Sequence, residues 1–472
     1  MNEKKNFGKF ILFLASLLLA VSVLLFTGYR VLCALETVYD DSFYAALKTK
    51  YDRLNSIDEP KIVVIGGSSV AFGIDSKLVE QETGMPAVNF GLYAAIGLKP
   101  MLDLSKKAVH SGDIIIIAPE LSAQMYSDYI GYDYLLEAIE GRPDMGTALG
   151  WDYAKGFLRS LPKFLKNRNE ILKNGLNIEG VYASRSFDEA GDLRFPRTEN
   201  TMNGGFSKTN LPEFSSEILT DGFFEMVNAY AGECRAKGAS VYFSFPPVNE
   251  RSLEYANGDP EAFVRKLEER LEFGILSSLE DHWMDPGYFY DSNFHTNDAG
   301  TVYNTVLLVN DLQRVTGRMT ARTVEVPEPL PIETESELRE VQSDGIFTYA
   351  LSEKGMVVKG LTGEGKALEN LTVPDRLGGY PVVGIDAFAF ENAAAVQITL
   401  PETVLWMQEG LFRNASSLRT VYLNFRSLPE VSSDLLALAP EDLKLYVPKE
   451  VYGKFVTDYF WGAFSGCLRP FE

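Results

Sequence analysis

Two adjacent serines, Ser68 and Ser69, follow the apolar run KIVVIGG and lie between Gly67 and Gly73. A serine hydroxyl attacks an ester carbonyl efficiently only when a neighbouring base takes its proton, and that base is usually a histidine held by a carboxylate. Serines after a strand also cap helices, so the pair alone leaves a purely structural role open. The rest of the chain has to supply a base and a carboxylate.

The chain has three histidines, His110, His282 and His295. His110 lies at the end of a helical pattern, and His282 lies in the acidic segment EDHWMD, where we expect a surface or linker residue. His295 lies in FYDSNFHTNDAG, four residues after Asp291. This spacing lets one loop deliver both a base and its orienting carboxylate, so the sequence predicts a triad of Ser69, His295 and Asp291.

The segments that carry these residues follow an α/β pattern. Apolar runs in KIVVIGG, PAVNFG, DIIIIAPE and ASVYFSFPP alternate with helical patterns. Unbroken runs of Val and Ile favour a parallel sheet covered on both faces. We therefore expect a three-layer α/β domain over about residues 60–317. In an open sheet of this kind, sites form at the carboxyl ends of the strands, where the two serines lie.

This region resembles the SGNH hydrolases, also called GDSL-type esterases. Ser69 has Gly67 two positions before it and Gly73 four positions after it, as the nucleophile of that family has, and Ser68 is the alternative nucleophile. The late Asp–His loop resembles the last block of the family. The resemblance implies a flavodoxin-like parallel sheet and a serine mechanism without a cofactor or a metal.

The resemblance also implies an oxyanion hole, whose donors would be the backbone N–H groups of Ser69 and Gly91, with Asn89 as a further donor. Two features depart from the family pattern. Aspartate and histidine are four rather than three positions apart, and the third block ends in Pro119 and Glu120 where the family has an asparagine. Losing one oxyanion donor raises the barrier by roughly 3–4 kcal/mol unless another group replaces it.

The N-terminal region predicts a membrane anchor. Residues 10–29 contain no charge and are long enough to span a bilayer core as a helix. Lysines precede this stretch, so we expect residues 1–9 in the cytoplasm and the bulk of the chain outside the cell, on a single-pass protein of the cell membrane. A cleaved signal peptide is the alternative. Residues 30–59 are expected to form a helical stalk.

The α/β pattern loosens over about residues 124–217, which predicts an insertion that is either a lid or substrate platform or only a packing element. This insertion contains WDYAKGFLRSLPKFLKNRNEIL, a basic amphipathic helix. Residues 318–344 are rich in Pro, Glu and Thr, which is typical of a linker.

Residues 345–472 contain a repeat. FENAAAV at 390–396 and FRNASSL at 412–418 match at an offset of 22 positions, which predicts a β-rich solenoid. Phe390 and Phe412 should form an inward ladder, and Asn392 and Asn414 should hold the turns. This part resembles leucine-rich repeats of the bacterial surface-antigen type. The resemblance implies a surface for a protein or glycan ligand, and a spacer role is the alternative.

Composition excludes several classes of function. The formal net charge of −21 argues against a nucleic-acid partner, which requires a basic face. Cys33, Cys234 and Cys467 lie far apart and match no zinc or redox spacing, so we expect no metal.

Two functions remain. The first is a membrane-anchored, exported serine esterase or acyltransferase that acts on O-acyl esters of cell-envelope glycans or polymers. This function is suggested by a closer resemblance to membrane-anchored relatives of D-alanine transfer and O-acetylation proteins. The second is a catalytically degenerate surface protein whose repeats bind a protein or glycan partner.

Overall fold

We analysed a computed structural model of the chain. It describes residues 36–176, 178, 180–317, 324–332, 341–352, 354–432 and 434–472, together with Leu12, Phe13, Ser16 and Val23. Within these residues, no helix has both the length and the apolar character that a membrane crossing needs. The predicted anchor over residues 10–29 lies almost entirely outside the described residues.

A five-stranded parallel sheet forms the centre of the first domain. Its strands are, in chain order, β1 (Ile62–Gly66), β2 (Ala87–Gly91), β3 (Ile114–Ala118), β4 (Ser240–Phe243) and β5 (Gly274–Ile275). Their order across the sheet is β2-β1-β3-β4-β5, with Gly66 of β1 opposite Gly91 on one side and Ala118 on the other. The first four strands lie where the apolar runs predict them.

Both faces of the sheet are buried, which establishes the mixed α/β architecture. Alternate residues of β1 belong to different hydrophobic clusters: Val63 and Ile65 face one cluster, whereas Ile62 and Val64 face the other. Side chains in a strand alternate between faces, so two separate clusters require a covering layer on each side.

Helices alternate with these strands. Their bounds are α1 (Ala46–Asn55), α2 (Ser68–Gly73), α3 (Ser76–Thr83), α4 (Leu98–Ser105), α5 (Tyr132–Ala138), α6 (Pro143–Leu149), α7 (Ala154–Asn174), α8 (Asp221–Ala236), α9 (Pro260–Arg270) and α10 (Asp298–Thr316). Local signals fix several ends. Asp75 caps the start of α3, and Gly84 ends that helix in the left-handed conformation at φ 69°.

The expected stalk over residues 30–59 is wrong for the part that the structure describes. Phe43, Leu47 and Leu54 are fully buried in the main cluster of the α/β domain. The apolar face of α1 packs on this core, so the helix belongs to the domain.

The insertion is helical in its first half, through α5, α6 and α7. The predicted basic amphipathic helix is confirmed as α7, preceded by a 3₁₀ turn at Trp151–Tyr153. Later residues of the insertion run beside a short antiparallel hairpin of β6 (Phe289–Ser292) and β7 (His295–Thr296), as the hydrogen bond from Thr201 N–H to the Tyr290 carbonyl shows.

The C-terminal part consists mainly of short strands. They are β8 (Gln342–Ser343), β9 (Phe347–Leu351), β10 (Met356–Leu361), β11 (Asn370–Thr372), β12 (Arg376–Leu377), β13 (Tyr380–Ile385), β14 (Gln397–Leu400), β15 (Trp406–Met407), β16 (Thr420–Leu423), β17 (Glu430–Val431), β18 (Lys444–Pro448) and β19 (Leu468–Phe471). Three short helices accompany them: α11 (Gly363–Lys366), α12 (Lys449–Thr457) and α13 (Tyr459–Ala463).

Most of these strands form two parallel ladders, β10-β13-β15-β17 and β11-β14-β16-β18-β19. The predicted aromatic ladder is confirmed, because the rings of Phe390 and Phe412 stack with centroids 5.8 Å apart. Asn392 and Asn414 both have positive φ, at 58° and 59°, a conformation that asparagine tolerates better than most residues.

The C-terminal part contacts the α/β domain directly. Thr209 Oγ1 donates a hydrogen bond to Asp434 Oδ2 at 3.0 Å, and the Lys208 N–H donates to Glu409 Oε1 at 3.0 Å. The ring of Phe460 packs edge-on against Tyr182, with centroids 5.3 Å apart. All three contacts reach the insertion rather than the central sheet.

Candidate active site

The two serines lie at the start of α2, directly after β1. The chain turns from β1 into α2 at Gly67. A Cβ on Gly67 would lie 2.7 Å from Glu120 Oε1 and 3.1 Å from the Cβ of Ala94, so a larger residue here would displace the Glu120 side chain. The turn lies at the carboxyl end of β1, beside β3, where the strand order of the sheet reverses. Ligands of open α/β sheets bind at this position.

The structure places Ser68 rather than Ser69 against the predicted base. Ser68 Oγ lies 2.8 Å from His295 Nε2. Ser69 is fully buried, and its Oγ has no hydrogen-bond partner among the described residues. Successive residues of a helix point about 100° apart, so only one of two adjacent serines can face the histidine. The serine that contacts the predicted base is therefore the alternative, Ser68, and not Ser69.

His295 and Asp291 lie on the β6–β7 hairpin, in which Ser292 pairs with His295. Asp291 Oδ1 lies 2.8 Å from His295 Nδ1, so Nδ1–H donates to the carboxylate and Nε2 faces Ser68. The register of the hairpin shifts between Phe289 and Ser292, which accommodates the four-residue separation. The site is sheltered, with Ser68 only 4% exposed and the His295 side chain 12% exposed.

Two aromatic residues that sequence reasoning missed hold this pair. Tyr182 OH donates to Asp291 Oδ2 and lies 3.5 Å from His295 Nδ1. Phe72 stacks on the imidazole, with ring centroids 4.1 Å apart and planes inclined by 10°. Phe72 is four residues after Ser68, a helical spacing that could have identified it. No sequence signal identified Tyr182, which comes from the insertion, 109 residues before Asp291.

Glu120 follows β3 at the position where the resemblance implies an asparagine. This side chain is buried, and its Oε1 accepts hydrogen bonds from Ser69 N–H at 2.6 Å and from Ser68 Oγ at 2.8 Å. The single hydroxyl proton of Ser68 can be donated to Glu120 or to His295, but not to both at once. The Ser69 N–H, an expected oxyanion donor, is thus occupied by a carboxylate.

Gly91 and Asn89, the other expected oxyanion donors, have other partners, so this prediction is wrong. The Gly91 N–H donates to Asn89 Oδ1 at 3.3 Å. Asn89 Nδ2 donates to the carbonyl oxygens of Val70 and Ile74, both at 3.0 Å. The last carbonyls of a helix lack partners within it, so a buried amide there stabilises the end of α2. Asn89 supports the helix that carries Ser68.

Lys50 in turn supports Asn89. Its fully buried Nζ donates to Asn89 O at 3.0 Å, to Asn89 Oδ1 at 3.1 Å and to the Gly191 carbonyl at 2.6 Å. Burial lowers the pKa of Lys50 to about 7, although the neighbouring carboxylates of Asp192 and Asp188 act in the opposite direction. One amine therefore ties α1, β2 and the insertion together.

The other two histidines have different surroundings. His282 is 4% exposed, so the expectation of a surface or linker residue is wrong. Ser277 Oγ lies 2.7 Å from its Nε2, and burial lowers the pKa of His282 to about 4. His110 lies beside Lys61 at the start of β1, with its Nδ1 3.4 Å from Lys61 Nζ. Within the described part of the chain, no cluster of three or more His, Cys, Asp and Glu side chains could hold a metal ion.

Comparison with known proteins gives little further information. No protein-family model matches the chain, and no curated protein matches it. A solved structure of a leucine-rich repeat protein from T. pallidum is similar to part of it, with 20% sequence identity and a TM-score of 0.16. The match covers 25% of this chain and 47% of that protein, about half of its length.

Proposed function

We propose that this chain is a serine esterase or acyltransferase that uses Ser68, His295 and Asp291. The observation that carries the proposal is the continuous set of contacts from Ser68 Oγ to His295 Nε2 and from His295 Nδ1 to Asp291 Oδ1, each of 2.8 Å. Both distances are within the reach that proton transfer requires. The position at the reversal of strand order supports the same proposal.

The reaction has two steps. Ser68 Oγ bonds to the carbonyl carbon of the ester while His295 Nε2 takes the hydroxyl proton, and His295 then gives this proton to the departing alcohol oxygen. In the second step, His295 takes a proton from water or from an acceptor hydroxyl, whose oxygen bonds to the acyl carbon and displaces Ser68. His295 then returns this proton to Ser68 Oγ, which restores the starting state. Asp291 keeps Nε2 facing Ser68 and stabilises the imidazolium formed in each step. Tyr182 holds the Asp291 carboxylate in place, and Phe72 holds the His295 imidazole.

The SGNH-type fold belongs to the same proposal. A parallel sheet in the order β2-β1-β3-β4-β5, with a serine after the first strand and an Asp–His hairpin before the last helix of the domain, supports it. One departure is clear: Ser68 has Phe72 rather than a glycine four residues later. The family spacing centres on Ser69, one residue beyond the serine that contacts the base.

We assign the substrate to O-acyl esters of cell-envelope glycans or polymers because of the uncharged stretch at residues 10–29. As a single-pass anchor, this stretch would hold the domain outside the cell and near the envelope. A reporter enzyme that works only outside the cytoplasm, fused after residue 472, tests this part. An inactive reporter together with an active cytoplasmic reporter would contradict export.

A second function is favoured by one observation, the Glu120 carboxylate on Ser69 N–H and Ser68 Oγ. A negative group at this position opposes the charge that an acyl-transfer transition state develops. In this alternative the α/β domain has no catalytic activity. The C-terminal part binds a protein or glycan through its two parallel ladders, which we interpret as leucine-rich repeats.

A fluorophosphonate probe, which labels activated serines covalently, separates the two functions. We expect labelling of the wild-type chain, complete loss of labelling in Ser68→Ala and in His295→Ala, and retention in the matched control Ser69→Ala. Intact mass and a peptide map would locate the adduct. Loss of labelling in Ser69→Ala with retention in Ser68→Ala would contradict the assignment of Ser68. An unlabelled wild type would favour the binding protein.

A further inference from the structure

The solvent-facing side of α7, together with the 3₁₀ turn before it, carries an apolar stripe formed by Trp151, Leu158, Leu165 and Leu172. The three leucines are spaced by seven positions, so they lie on one side of the helix, and Trp151 precedes them in the turn. They are 77%, 53%, 42% and 53% exposed, respectively. A row of large apolar side chains about 30 Å long, open to water, marks a contact surface.

Basic side chains accompany the stripe. Residues 151–174 contain six Lys and Arg and two Asp and Glu, a net charge of +4, whereas the remaining residues carry −25 of the total of −21. Lys155, Arg159, Lys166 and Lys173 are exposed. They lie roughly a quarter-turn around the helix from the stripe. In α7, a net positive charge therefore accompanies an exposed apolar row, although the chain as a whole is acidic.

The opposite side of α7 holds the point at which the chain arrives from its N-terminal segment. The rings of Phe164 and Tyr39 stack, with centroids 5.6 Å apart. Arg168 donates a hydrogen bond to the Glu36 carbonyl and pairs with Glu140, which accepts the Tyr39 N–H at 3.0 Å. Residues 36–39 are thus fixed to the buried side of this helix.

This attachment limits the distance from α7 to the uncharged N-terminal stretch. Seven peptide steps separate Tyr29 from Glu36. They span at most about 25 Å of extended chain. If residues 10–29 cross a bilayer, α7 lies within that distance of the membrane surface.

We propose that the exposed side of α7 lies on the surface of a bilayer that contains anionic lipid, with the apolar stripe in the acyl boundary and the lysines among the headgroups. Tryptophan and leucine on one side and lysine and arginine beside them are typical of helices that lie in the membrane interface. A protein partner is less favoured, because the cores of protein interfaces are depleted in lysine.

The basic surface continues past α7. A groove of about 500 Å³ between this helix and the end of the C-terminal part is lined in part by Lys163, Lys166 and Arg469. Lys163 is paired with Asp133 at 2.8 Å, but Lys166 makes no ion pair among the described residues. Positive charge from the C-terminal part therefore lies beside that of α7.

Tryptophan fluorescence in proteoliposomes tests the proposal on the full chain. Residues 1–35 contain no tryptophan, and of the four tryptophans, Trp283 and Trp406 are half-buried and Trp461 is buried. In vesicles of phosphatidylglycerol whose acyl chains carry bromine, we expect the bromine to quench the tryptophan fluorescence of the wild-type chain. This quenching should disappear in Trp151→Phe. The quenching should be at least about twofold weaker in pure phosphatidylcholine, since each basic residue contributes about 1 kcal/mol of attraction to anionic lipid.

Matched variants separate the contribution of the apolar stripe from that of the basic residues. Leu158→Glu should abolish the quenching, whereas Leu405→Glu, at a leucine that is also 53% exposed but lies in the C-terminal part, should leave it unchanged. Lys155→Glu with Lys166→Glu should remove the difference between the two lipids. Quenching that survives Trp151→Phe, or is equal in both lipids, would overturn the proposal.

Two further outcomes would also overturn it. One is a failure of the chain to float with anionic vesicles. The other is absence of quenching together with a dimer that Leu158→Glu dissociates, because the stripe would then contact a second copy. Since the readout is fluorescence, neither outcome depends on the esterase activity proposed above.

Discussion

The buried amine of Lys50 makes the stability of the domain depend on pH in a direction that the structure fixes. Burial lowers its pKa to about 7 in the folded chain, from an ordinary value of 10.5. Between these two values the unfolded chain binds more protons than the folded chain, so the free energy of unfolding rises with pH. Below pH 7 both states carry the charge, and the contribution is at its least favourable.

The magnitude follows from the pKa difference. One pKa unit corresponds to about 1.4 kcal/mol, so the whole difference is worth about 5 kcal/mol, of which about 3 kcal/mol is gained between about pH 7.5 and pH 10. Solvent does not screen this amine, because Lys50 is 0% exposed. Asp192 and Asp188 lie close enough to influence the amine, so removing either should lower the pKa of Lys50 further.

Urea unfolding of the wild type and of Lys50→Met over this pH range measures the effect. The variant should be less stable throughout, because the oxygens of Asn89 and Gly191 lose their donor. Its stability should nevertheless lack the rise of about 3 kcal/mol, since methionine does not titrate. Other titrating groups cancel when the two curves are subtracted. A difference between the curves that stays constant with pH would refute the reasoning.

Three further changes test the candidate site. Ser69→Ala should raise the free energy of unfolding by about 1 kcal/mol in urea titrations, because it removes a buried hydroxyl without a partner; a loss of stability would reveal a partner. Asp291→Asn should lower ester turnover about 10⁴-fold, since His295 would no longer present Nε2 to Ser68; a change below tenfold would remove Asp291 from the mechanism. Glu120→Gln should raise turnover of p-nitrophenyl acetate at least about tenfold, because an amide can donate where the carboxylate only accepts; a fall would assign the carboxylate a catalytic part.

Most of the central sheet was predictable from the sequence because β1, β2 and β3 are buried on both faces. Four apolar runs, each ended by a turn residue, place β1 to β4, and in the first three strands every residue is buried, so they show no alternation to misread. The fifth strand, Gly274–Ile275, has two residues and gave no such signal. Helix α1 was assigned to a stalk instead of the α/β domain because the spacing of apolar residues in an amphipathic helix is the same in both settings.

The candidate site was predictable only to within one residue. Types and spacing selected Asp291 and His295, but the choice between Ser68 and Ser69 depends on the rotation of α2 about its axis. Side chains from elsewhere in the chain set this rotation, chiefly the amide of Asn89 and the carboxylate of Glu120. Contacts between residues distant in sequence leave no local pattern, so the glycine spacing favoured Ser69, whereas the serine that contacts His295 is Ser68.

Long-range contacts also link the C-terminal part of the chain to His295. Phe460 of the C-terminal part packs on Tyr182, Tyr182 donates to Asp291, and Asp291 orients His295. A shift of α13 would therefore act on the carboxylate through a single aromatic side chain. Because Thr209 is also bonded to Asp434, the C-terminal part contacts the insertion at more than one point. The insertion therefore does more than pack against the sheet, because its Tyr182 donates a hydrogen bond to Asp291. The C-terminal part helps to fix the position of Tyr182 through Phe460.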